Sequence, residues 1–505
     1  MKLDTLPWST YRWRDALLFL ALVTGGLALA TLPLSLTALA VVGGIVVTAT
    51  LVHPEVGLYL LVVAVPFGSV REVSVGGMTV DAAEGLIGLA LAAWLAQMVI
   101  RRQVAPTLPP LTLPLLIFLG AALLSLPGAL SLKYGLKEII KWTEVLGLYV
   151  FAANVLDRGQ ARRLVFVVLL TGAAAALHGW YQFFSRSGPE GFLLFERFMR
   201  AYGTFEQPNP YAGYLGLIAP LALSLALGGW KTRRLEGWKV ERLKGWKVGE
   251  WGQGEFLICG GSFGLMAAAM AMSWSRGAWI GFAAAVVAVS VVRSRRAAAV
   301  FAALVAVGAV VLILGSFQLL PGSLTQRLTD FLPYLRPFDV REVEVTDANF
   351  AVVERMAHWQ AGWQMWSEHP WRGVGVGNYE PIYPAYYIPP WKEPLGHAHN
   401  YYLNAAAETG LIGLLAYLIL WGAAFWQAVQ AIRRTSGWER GVAIGVLGML
   451  THLSIHNFFD NLFVHNMYAH IAILLALLPV LTNVAALHTS KAGQQLNQEV
   501  QTLDG

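Results

Sequence analysis

Charged residues are scarce in this sequence. Only 13% of its 505 residues are charged, whereas 56% are hydrophobic. A soluble globular chain carries about 25% charged residues, so a soluble domain of this length is excluded. Runs of about 18 apolar residues recur along the chain, and runs of this length are typical of helices that span a bilayer.

Two further features are missing. Segments of about 10 residues with alternating hydrophobicity, which bilayer-spanning strands require, do not occur. The single cysteine, Cys259, excludes an intrachain disulfide and a cysteine metal cluster. The formal net charge of +6 does not indicate a nucleic-acid partner, because the basic residues lie in short loops between apolar segments, where they set membrane topology.

We therefore predict an all-α polytopic membrane protein with about 14 transmembrane helices, within a range of 12–14. The first apolar segment begins near Ala16 and lacks a small-residue cleavage site, which favours an uncleaved span over a signal peptide. The predicted spans are residues 16–32, 34–52, 55–69, 81–100, 110–127, 137–156, 162–182, 209–228, 256–273, 278–293, 297–317, 407–431, 440–455 and 466–484.

The basic residues give these spans an orientation. If the N-terminus is cytoplasmic, all five basic clusters fall on the cytoplasmic side, as the positive-inside rule requires. The polar tail 485–505 is then cytoplasmic as well. The clusters are Arg101–Arg102, 158–163, 231–247, 293–296 and Arg433–Arg434.

One cytoplasmic loop, 229–254, contains an eight-residue tandem repeat that starts at Leu235 and again at Leu243. It is either a duplicated basic linker without a catalytic role or an interfacial element. In the second case its tryptophans would lie at headgroup level and its basic residues would bind anionic lipid.

A long loop, 318–406, precedes the third-last span on the opposite, extracytoplasmic face. Loops of this length are usually functional or disordered. Because the loop is rich in Tyr, Trp, Pro and Gly, disorder is disfavoured. We expect a folded extracytoplasmic cap that contains short helices.

The most distinctive local pattern starts where this loop enters a span. His399-Asn400 is followed, after nine residues, by Gly410 and Gly413. A histidine at a helix N-terminus on the boundary of water and lipid can remain near neutral and act as a base. The alternative is a loop histidine that only caps the helix.

Several arginines lie on the same predicted face. Arg276 occupies a very short connection between two spans, where it either snorkels to the surface or binds an anionic group such as a phosphate. Arg355 belongs to a predicted helix within the large loop. Arg197 and Arg200 precede the eighth span and are either surface charges or part of the same site.

The segment from Trp371 to Tyr379 contains three glycines at alternate positions. This is too much glycine for a helix, but it allows a tight backbone close to a ligand. The segment lacks the strand–turn–helix context of a nucleotide-binding loop, so that interpretation is rejected.

These residues together suggest one site on the extracytoplasmic face. No His, Asp or Glu set with metal-ligand spacing accompanies them in the sequence, and we expect neither a metal nor a cofactor. Arginines can neutralise a diphosphate, and aromatic faces suit sugar rings. The chemistry that fits is glycosyl transfer from a lipid-linked diphosphate donor to a hydroxyl acceptor.

At this point the chain resembles the O-antigen ligase and polymerase superfamily, best over 197–213, 273–281 and 355–413, and more weakly over His456–Asp460. The first ~190 residues match only as a series of spans. We therefore divide the chain into N-terminal membrane spans, 1–208, and an O-antigen ligase-like membrane domain, 209–484, that includes the loop 318–406. The matching elements are Gly203-Thr-Phe205 with Asn209, Ser275-Arg276-Gly277, Arg355 with the Pro370 to Gly375 segment, and the His399-Asn400 pattern with Gly410 and Gly413.

The resemblance implies a fold similar to C-type glycosyltransferases, without a nucleotide-sugar site. It implies an inverting, metal-independent enzyme in the bacterial cytoplasmic membrane that uses a glycan on undecaprenyl diphosphate. Carried to matched positions, Arg276 and Arg355 would stabilise the diphosphate leaving group, and His399 would activate or orient the acceptor hydroxyl.

Further residues are expected to contact substrate: Arg197, Arg200, Asn209, Asn378, Tyr379, Asn400 and Glu408. The expected partners are the lipid-linked donor, membrane lipid and a hydroxyl acceptor, with no nucleic acid. The acceptor could be lipid A core, a growing glycan or a protein hydroxyl.

The main alternative is a transporter or flippase of the lipid-linked oligosaccharide. Such a protein would show internal symmetry, deep ionisable residues and a polar path between spans. The sequence shows few deep charges and no obvious halves. A purely structural membrane protein would not need arginines that converge on a glycine-rich, aromatic loop.

Overall fold

The computed structural model describes residues 33–68, 73–75, 78–102, 105–194, 197–236, 253–293, 338–346 and 349–482, with isolated residues outside these ranges. The predicted spans 16–32 and 297–317 lie almost wholly outside the described residues. The same holds for most of the repeat-containing linker and for the polar tail.

The described chain is mostly helical. The helices are α1 (Leu34–Val52), α2 (Pro54–Phe67), α3 (Ala82–Ile100), α4 (Thr112–Ser125), α5 (Leu132–Val155), α6 (Arg158–Ser185), α7 (Pro208–Glu236), α8 (Gln253–Ser273), α9 (Arg276–Arg293), α10 (Phe350–Glu368), α11 (Tyr379–Ile382), α12 (Tyr401–Arg434), α13 (Gly437–His456) and α14 (Met467–Thr482). Two antiparallel hairpins pair β1 (Val73–Val75) with β2 (Met78–Val80) and β3 (Leu193–Leu194) with β4 (Phe198–Met199).

Seven helices within the described ranges are long and apolar enough to cross a membrane: α1, α3, α6, α7, α8, α9 and α12. Three shorter apolar helices, α2, α4 and α14, accompany them. The prediction of a helical, multi-pass membrane protein is confirmed at this level, and the count of about 14 spans stays a prediction.

Local sequence signals explain where two helices begin. Asp81 accepts a hydrogen bond from the backbone N–H of Glu84, whose side chain accepts one from Asp81 N–H in return. Asp157 and Gln160 form the same reciprocal pair at the start of α6. Each pair satisfies N–H groups that the first helical turn would otherwise leave unpaired.

Helix α13 lies in the centre of the bundle, against α7, α9 and α12. Glycines make this packing possible. A Cβ on Gly445 would lie 2.6 Å from Cα of Leu221, and one on Gly448 would lie 2.6 Å from Cβ of Pro220. Small residues let helix backbones approach closely in membrane bundles, where dispersion contacts take over much of the role of hydrophobic burial.

Basic residues meet at one end of the bundle. Arg158 at the start of α6 pairs with Glu439 near the start of α13. Arg162 donates to Glu255 of α8 at 2.7 Å. The assignment of this end to the cytoplasm stays a prediction.

A folded cap joins α10, α11 and the chain that leads to α12. Buried Ala361, Met365, Tyr379 and Tyr383 form its core. Helix α10 contains Arg355, as the sequence indicated, and packs against α12. Helix α12 begins at Tyr401, six residues before the predicted start of the span at 407, because Asn400 caps it.

Candidate functional site

A break in α12 and the glycine-rich segment fit against each other. Gly410 interrupts the helix with φ of 65°, and a Cβ there would lie 2.2 Å from the carbonyl carbon of Trp371. Gly373, with φ of 66°, would place a Cβ 2.3 Å from the backbone of Glu408. Only glycine allows this backbone-to-backbone contact.

Two polar side chains fasten the glycine-rich segment. The buried carboxylate of Glu408 accepts hydrogen bonds from the N–H groups of Gly377 and Tyr379, both at 3.0 Å. Asn378 accepts from Ser131 N–H at 2.7 Å and donates to the Ser131 carbonyl at 3.2 Å. These contacts tie the cap to α12 and to the start of α5.

Tyr379 joins the same segment to α10. Its hydroxyl lies 3.0 Å from Nδ1 of His358 and 3.1 Å from the His358 carbonyl oxygen. Tyr383 stacks on the His358 ring, with centroids 4.8 Å apart. Burial, helped by the charge of His399, lowers the pKa of His358 to about 3, so its imidazole is neutral.

His399 lies two residues before the start of α12 in a left-handed conformation, with φ of 51°. Its backbone N–H donates to Nδ1 of His397 at 3.0 Å, and Trp359 Nε1 approaches its carbonyl oxygen at 3.4 Å. The next residue, Asn400, accepts from Leu403 N–H and caps the helix. Positive φ at a non-glycine residue is uncommon and clusters at functional sites.

The ring nitrogens of His399 are buried, and neither has a hydrogen-bond partner among the described residues. Nδ1 lies 3.6 Å from Oδ1 of Asp460, and Nε2 of His397 lies 3.7 Å from the same oxygen. Both distances exceed a hydrogen bond, so the two rings face the carboxylate without a direct hydrogen bond to it. Asp460 itself is buried, just beyond α13.

Asp460 is held as a carboxylate. Burial raises the pKa of its carboxyl group, but His399, His397 and Arg355 outweigh burial and hold the pKa well below the usual range. Burial, with the charge of His399 second, lowers the pKa of His397 to about 3. At neutral pH the site therefore contains one anion and a neutral His397.

The hydrogen bonds also set the tautomer of His397. Because its Nδ1 accepts the His399 N–H, the proton of the neutral ring lies on Nε2, which faces Asp460. A proton on Nδ1 of His399 would face the same carboxylate and leave a lone pair on its Nε2. A carboxylate that orients an imidazole in this way prepares it to act as a general base.

Arg355 lies on α10 beside this cluster. Its Nη1 donates to the Ala351 carbonyl at 3.1 Å, and its buried Nε has no hydrogen-bond partner within the described chain. Its charge acts on His397, Asp460 and the neighbouring Glu354. A half-buried guanidinium with an unused donor is suited to an anionic ligand.

Arg276 begins α9 next to the chain that carries Asp460. The adjacent Gly277 packs on Phe459, since a Cβ on this glycine would lie 2.9 Å from Cβ of Phe459. Arg200 reaches the same region from β4, and its Nε donates to the Ser273 carbonyl at 2.8 Å.

Arg197 and Asn209 were also predicted to contact substrate. Arg197 is exposed, and its guanidinium stacks over Phe198 at 5.2 Å from the ring centroid. Asn209 is the second residue of α7 and is half-buried.

One expectation from the sequence needs correction. Ligand atoms of His397, His399 and Asp460 lie within 4.8 Å of one another and could hold a metal ion. The sequence indicated no such set, because Asp460 comes from beyond α13 and only folding brings it to the two histidines. The spacing of His397 and His399 was the available signal.

Seven helices of the described chain are long and apolar enough to cross a membrane, so the chain is a multi-pass membrane protein. The pair of His399 and Asp460 gives it a candidate catalytic centre. Residues 261–418 match the family model described as O-antigen ligase, which confirms the resemblance to that superfamily. No curated protein matches the chain. The matched region contains Arg276, Arg355 and His399, ends before Asp460, and supports a general role in glycan transfer at a membrane.

Proposed function

We propose that the protein is a glycosyltransferase that transfers or polymerises a glycan from an undecaprenyl-diphosphate-linked donor onto a hydroxyl acceptor. The observation that carries the proposal is the pair of His399 and Asp460 beside Arg355. His399 and Arg355 lie within the region that matches the O-antigen ligase family, and Asp460 follows it in the sequence. A base and an anion-binding group at one place are what this reaction needs.

The reaction is a single displacement. Nε2 of His399 takes the proton of the acceptor hydroxyl while the acceptor oxygen forms a bond to the anomeric carbon. The bond from that carbon to the diphosphate oxygen breaks, and its electron pair leaves with undecaprenyl diphosphate. Asp460 stabilises the imidazolium that forms. Attack opposite the leaving group inverts the anomeric configuration.

The arginines act on the leaving group. Arg355 and Arg276 neutralise the charge that develops on the diphosphate oxygens, with Arg200 and Arg197 further along the lipid-linked donor. Preorganised charge of this kind contributes about 3–4 kcal/mol per group in other enzymes. Arginine suits the task because its planar fork matches two phosphate oxygens at once.

We further propose that catalysis needs no metal. The His397 proton on Nε2 points at Asp460, into the position that a cation would take. The positive charge of Arg355 acts on both His397 and Asp460 and would repel a divalent ion there.

Four predicted contact residues are assigned a positioning role. The side chains of Glu408 and Asn378 form hydrogen bonds that hold the glycine-rich segment in place. The Tyr379 hydroxyl contacts His358, and the Asn400 side chain caps α12. They fix the backbone on which His399 and Arg355 lie. Asn209 remains a candidate for direct substrate contact.

The orientation follows from charge. The end of the bundle that contains the ion pairs of Arg158 and Arg162 is assigned to the cytoplasm. The cap and His399 then lie at the outer edge of the bacterial cytoplasmic membrane. A lipid-anchored donor and a water-exposed acceptor can meet there.

The test is transfer by the purified full chain in lipid nanodiscs. A synthetic lipid-linked oligosaccharide is supplied with lipid A core, a second lipid-linked repeat unit or a serine-containing peptide, and products are identified by mass spectrometry. We expect one acceptor to be glycosylated. Absence of transfer to every acceptor, combined with movement of the donor across proteoliposomes, would instead establish a flippase.

A further inference from the structure

A cleft of about 320 Å³ opens along one side of α10, on the outside of the cap. Four of the residues that line it come from α10 at helical spacing and supply its aromatic rings and amides: Trp359, Gln360, Trp363 and Gln364. The opposite side of α10 is committed to packing, with Val353, Ala357, Ala361 and Met365 buried. The residues that line the cleft are therefore the unpacked face of this helix.

Trp363 is unusual on this face because its side chain is 59% exposed. Its ring stands at 90° to that of Trp366, with centroids 5.2 Å apart, so the contact sets its orientation. Trp359 is half-buried beside it and approaches the carbonyl oxygen of His399 with Nε1 at 3.4 Å. The indole rings of Trp359 and Trp363 thus both line the cleft, and Trp359 contacts the backbone of the proposed base.

The wall of the cleft that faces α10 includes the 338–342 segment, which the side-chain amide of Gln360 holds in place. Gln360 Nε2 donates to the Phe338 carbonyl at 2.6 Å, which fastens the 338–342 segment across the cleft. Arg341 of that segment lines the cleft and pairs with Asp339 at 3.3 Å. Gln364 donates from Nε2 to Glu368, which fixes its amide and leaves the oxygen as an acceptor.

We propose that this cleft is a carbohydrate subsite that takes one sugar ring of the acceptor, next to the hydroxyl that His399 deprotonates. The inference rests on the proposed function. Flat indole faces pack against the C–H face of a pyranose ring, and the amide and guanidinium groups at the rim suit its hydroxyls. The volume lies at the lower end of the roughly 300–1,000 Å³ typical of small-molecule sites.

Charge separates this subsite from the donor site. A diphosphate needs several cations, and among the residues that line the cleft only Arg341 is charged. Arg355 lies one helical turn before Trp359 along α10 and does not line the cleft, and its charge acts on Asp460 and His397. The cleft therefore suits an uncharged sugar, while the preceding turn of α10, which contains Arg355, suits the leaving group.

Binding is tested without transfer. Saturation-transfer-difference NMR is recorded on the full chain in nanodiscs with four probes: the methyl pyranosides of glucose, galactose and mannose, and N-acetylglucosamine. We expect saturation of ring C–H protons in at least one probe. Trp363→Ala should lose this signal, Trp363→Phe should retain most of it, and Trp426→Ala, which removes an equally exposed tryptophan of α12, should leave it unchanged.

Kinetics give the second readout. In the transfer assay, Trp363→Ala should raise the acceptor KM about tenfold, which corresponds to about 1.4 kcal/mol, with the donor KM unchanged. An unchanged acceptor KM would overturn the subsite while leaving the proposed function intact. A probe signal that depends on Trp363, in a protein that transfers to no acceptor, would support the subsite and count against the function.

A lipid occupant gives a different result. Brominated phospholipids quench tryptophans that face acyl chains, and the contribution of Trp363 is the difference in quenching between wild type and Trp363→Phe. If Trp363 is quenched and no sugar probe gives a signal, the cleft faces acyl chains and the proposal is overturned. Quenching confined to other tryptophans, with a Trp363-dependent sugar signal, supports it.

Discussion

Nδ1 of His399 lies 3.6 Å from Oδ1 of Asp460, although the two residues come from opposite sides of α12 and α13 in the sequence. The contact joins the cap to the end of α13. Among the described residues of the cap, His399 is the histidine whose two ring nitrogens are both buried and without a hydrogen-bond partner. The proposed chemistry depends on this contact, because Asp460 decides which nitrogen of His399 is free to accept a proton.

Asp460→Asn should lower kcat about 10²- to 10⁴-fold, because an amide cannot stabilise the imidazolium and can impose the wrong tautomer. The donor KM should change little. Turnover is measured with the lipid-linked donor in nanodiscs, with Glu190→Gln as the control at an exposed carboxylate. Wild-type turnover in Asp460→Asn would remove Asp460 from the mechanism.

Arg355→Ala should reduce kcat/KM for the donor about 10²-fold, because charge on the leaving diphosphate is no longer neutralised. Arg355→Lys should recover only part of the loss, since an ammonium lacks the planar fork of a guanidinium. Arg186→Ala, at an exposed position after α6, serves as the matched control. Equal activity of the alanine and wild-type proteins would contradict the assigned role.

Glu408→Ala should destabilise the cap by about 2–4 kcal/mol, because it leaves the buried N–H groups of Gly377 and Tyr379 without an acceptor. The measurement is thermal unfolding followed by tryptophan fluorescence in nanodiscs. Glu393→Ala, at an exposed position in the same cap, should have no effect. A normal melting temperature with lost activity would instead make Glu408 a substrate ligand.

The stability of the cap should fall as pH is lowered from about 6.5 toward 3. The pKa of His397 is near 3 in the folded protein, so in this range only the unfolded chain binds the proton. Between these values stability rises with pH, by about 2 kcal/mol from this group between pH 5 and neutrality. Thermal unfolding across the range should show a smaller pH slope in His397→Gln. An identical slope would contradict the assignment.

Dialysis against EDTA should leave transfer unchanged. In the proposed site His399 accepts the acceptor proton and the arginines neutralise the leaving diphosphate, so neither task needs a metal. The result that would contradict this is a loss of activity that Zn²⁺ or Mg²⁺ restores. Wild type is compared with Asp460→Asn in metal-binding titrations, since a true ligand set would lose affinity in the variant.

The sequence predicted those features of the region that depend on residues adjacent in the chain. His399-Asn400 and the glycines after it mark the start and the break of α12, because capping and positive φ each demand particular residue types. The helix that contains Arg355 was predicted from its local sequence and is present as α10, whereas the role of Arg355 came from the resemblance and stays a prediction. These features depend on neighbours in the chain, so a single sequence reveals them.

Features that depend on tertiary contact were not accessible in the same way. Asp460 follows a different helix, and the weak resemblance over His456–Asp460 did not indicate that it would contact His397 and His399. Glu408 and Asn378 were predicted to contact substrate, yet their partners are backbone groups of the glycine-rich segment. A buried carboxylate that binds backbone N–H groups and one that binds a ligand have the same sequence signature.

The central claim is that His399 activates an acceptor for attack on a lipid-linked diphosphate glycan. The most direct measurement follows release of undecaprenyl diphosphate and glycosylation of the acceptor in the same reconstituted reaction, for wild type and His399→Ala. The account predicts that the two products form in equal amounts with wild type and that both disappear in the variant, which still inserts and folds. Near-wild-type formation of both products by His399→Ala would contradict it.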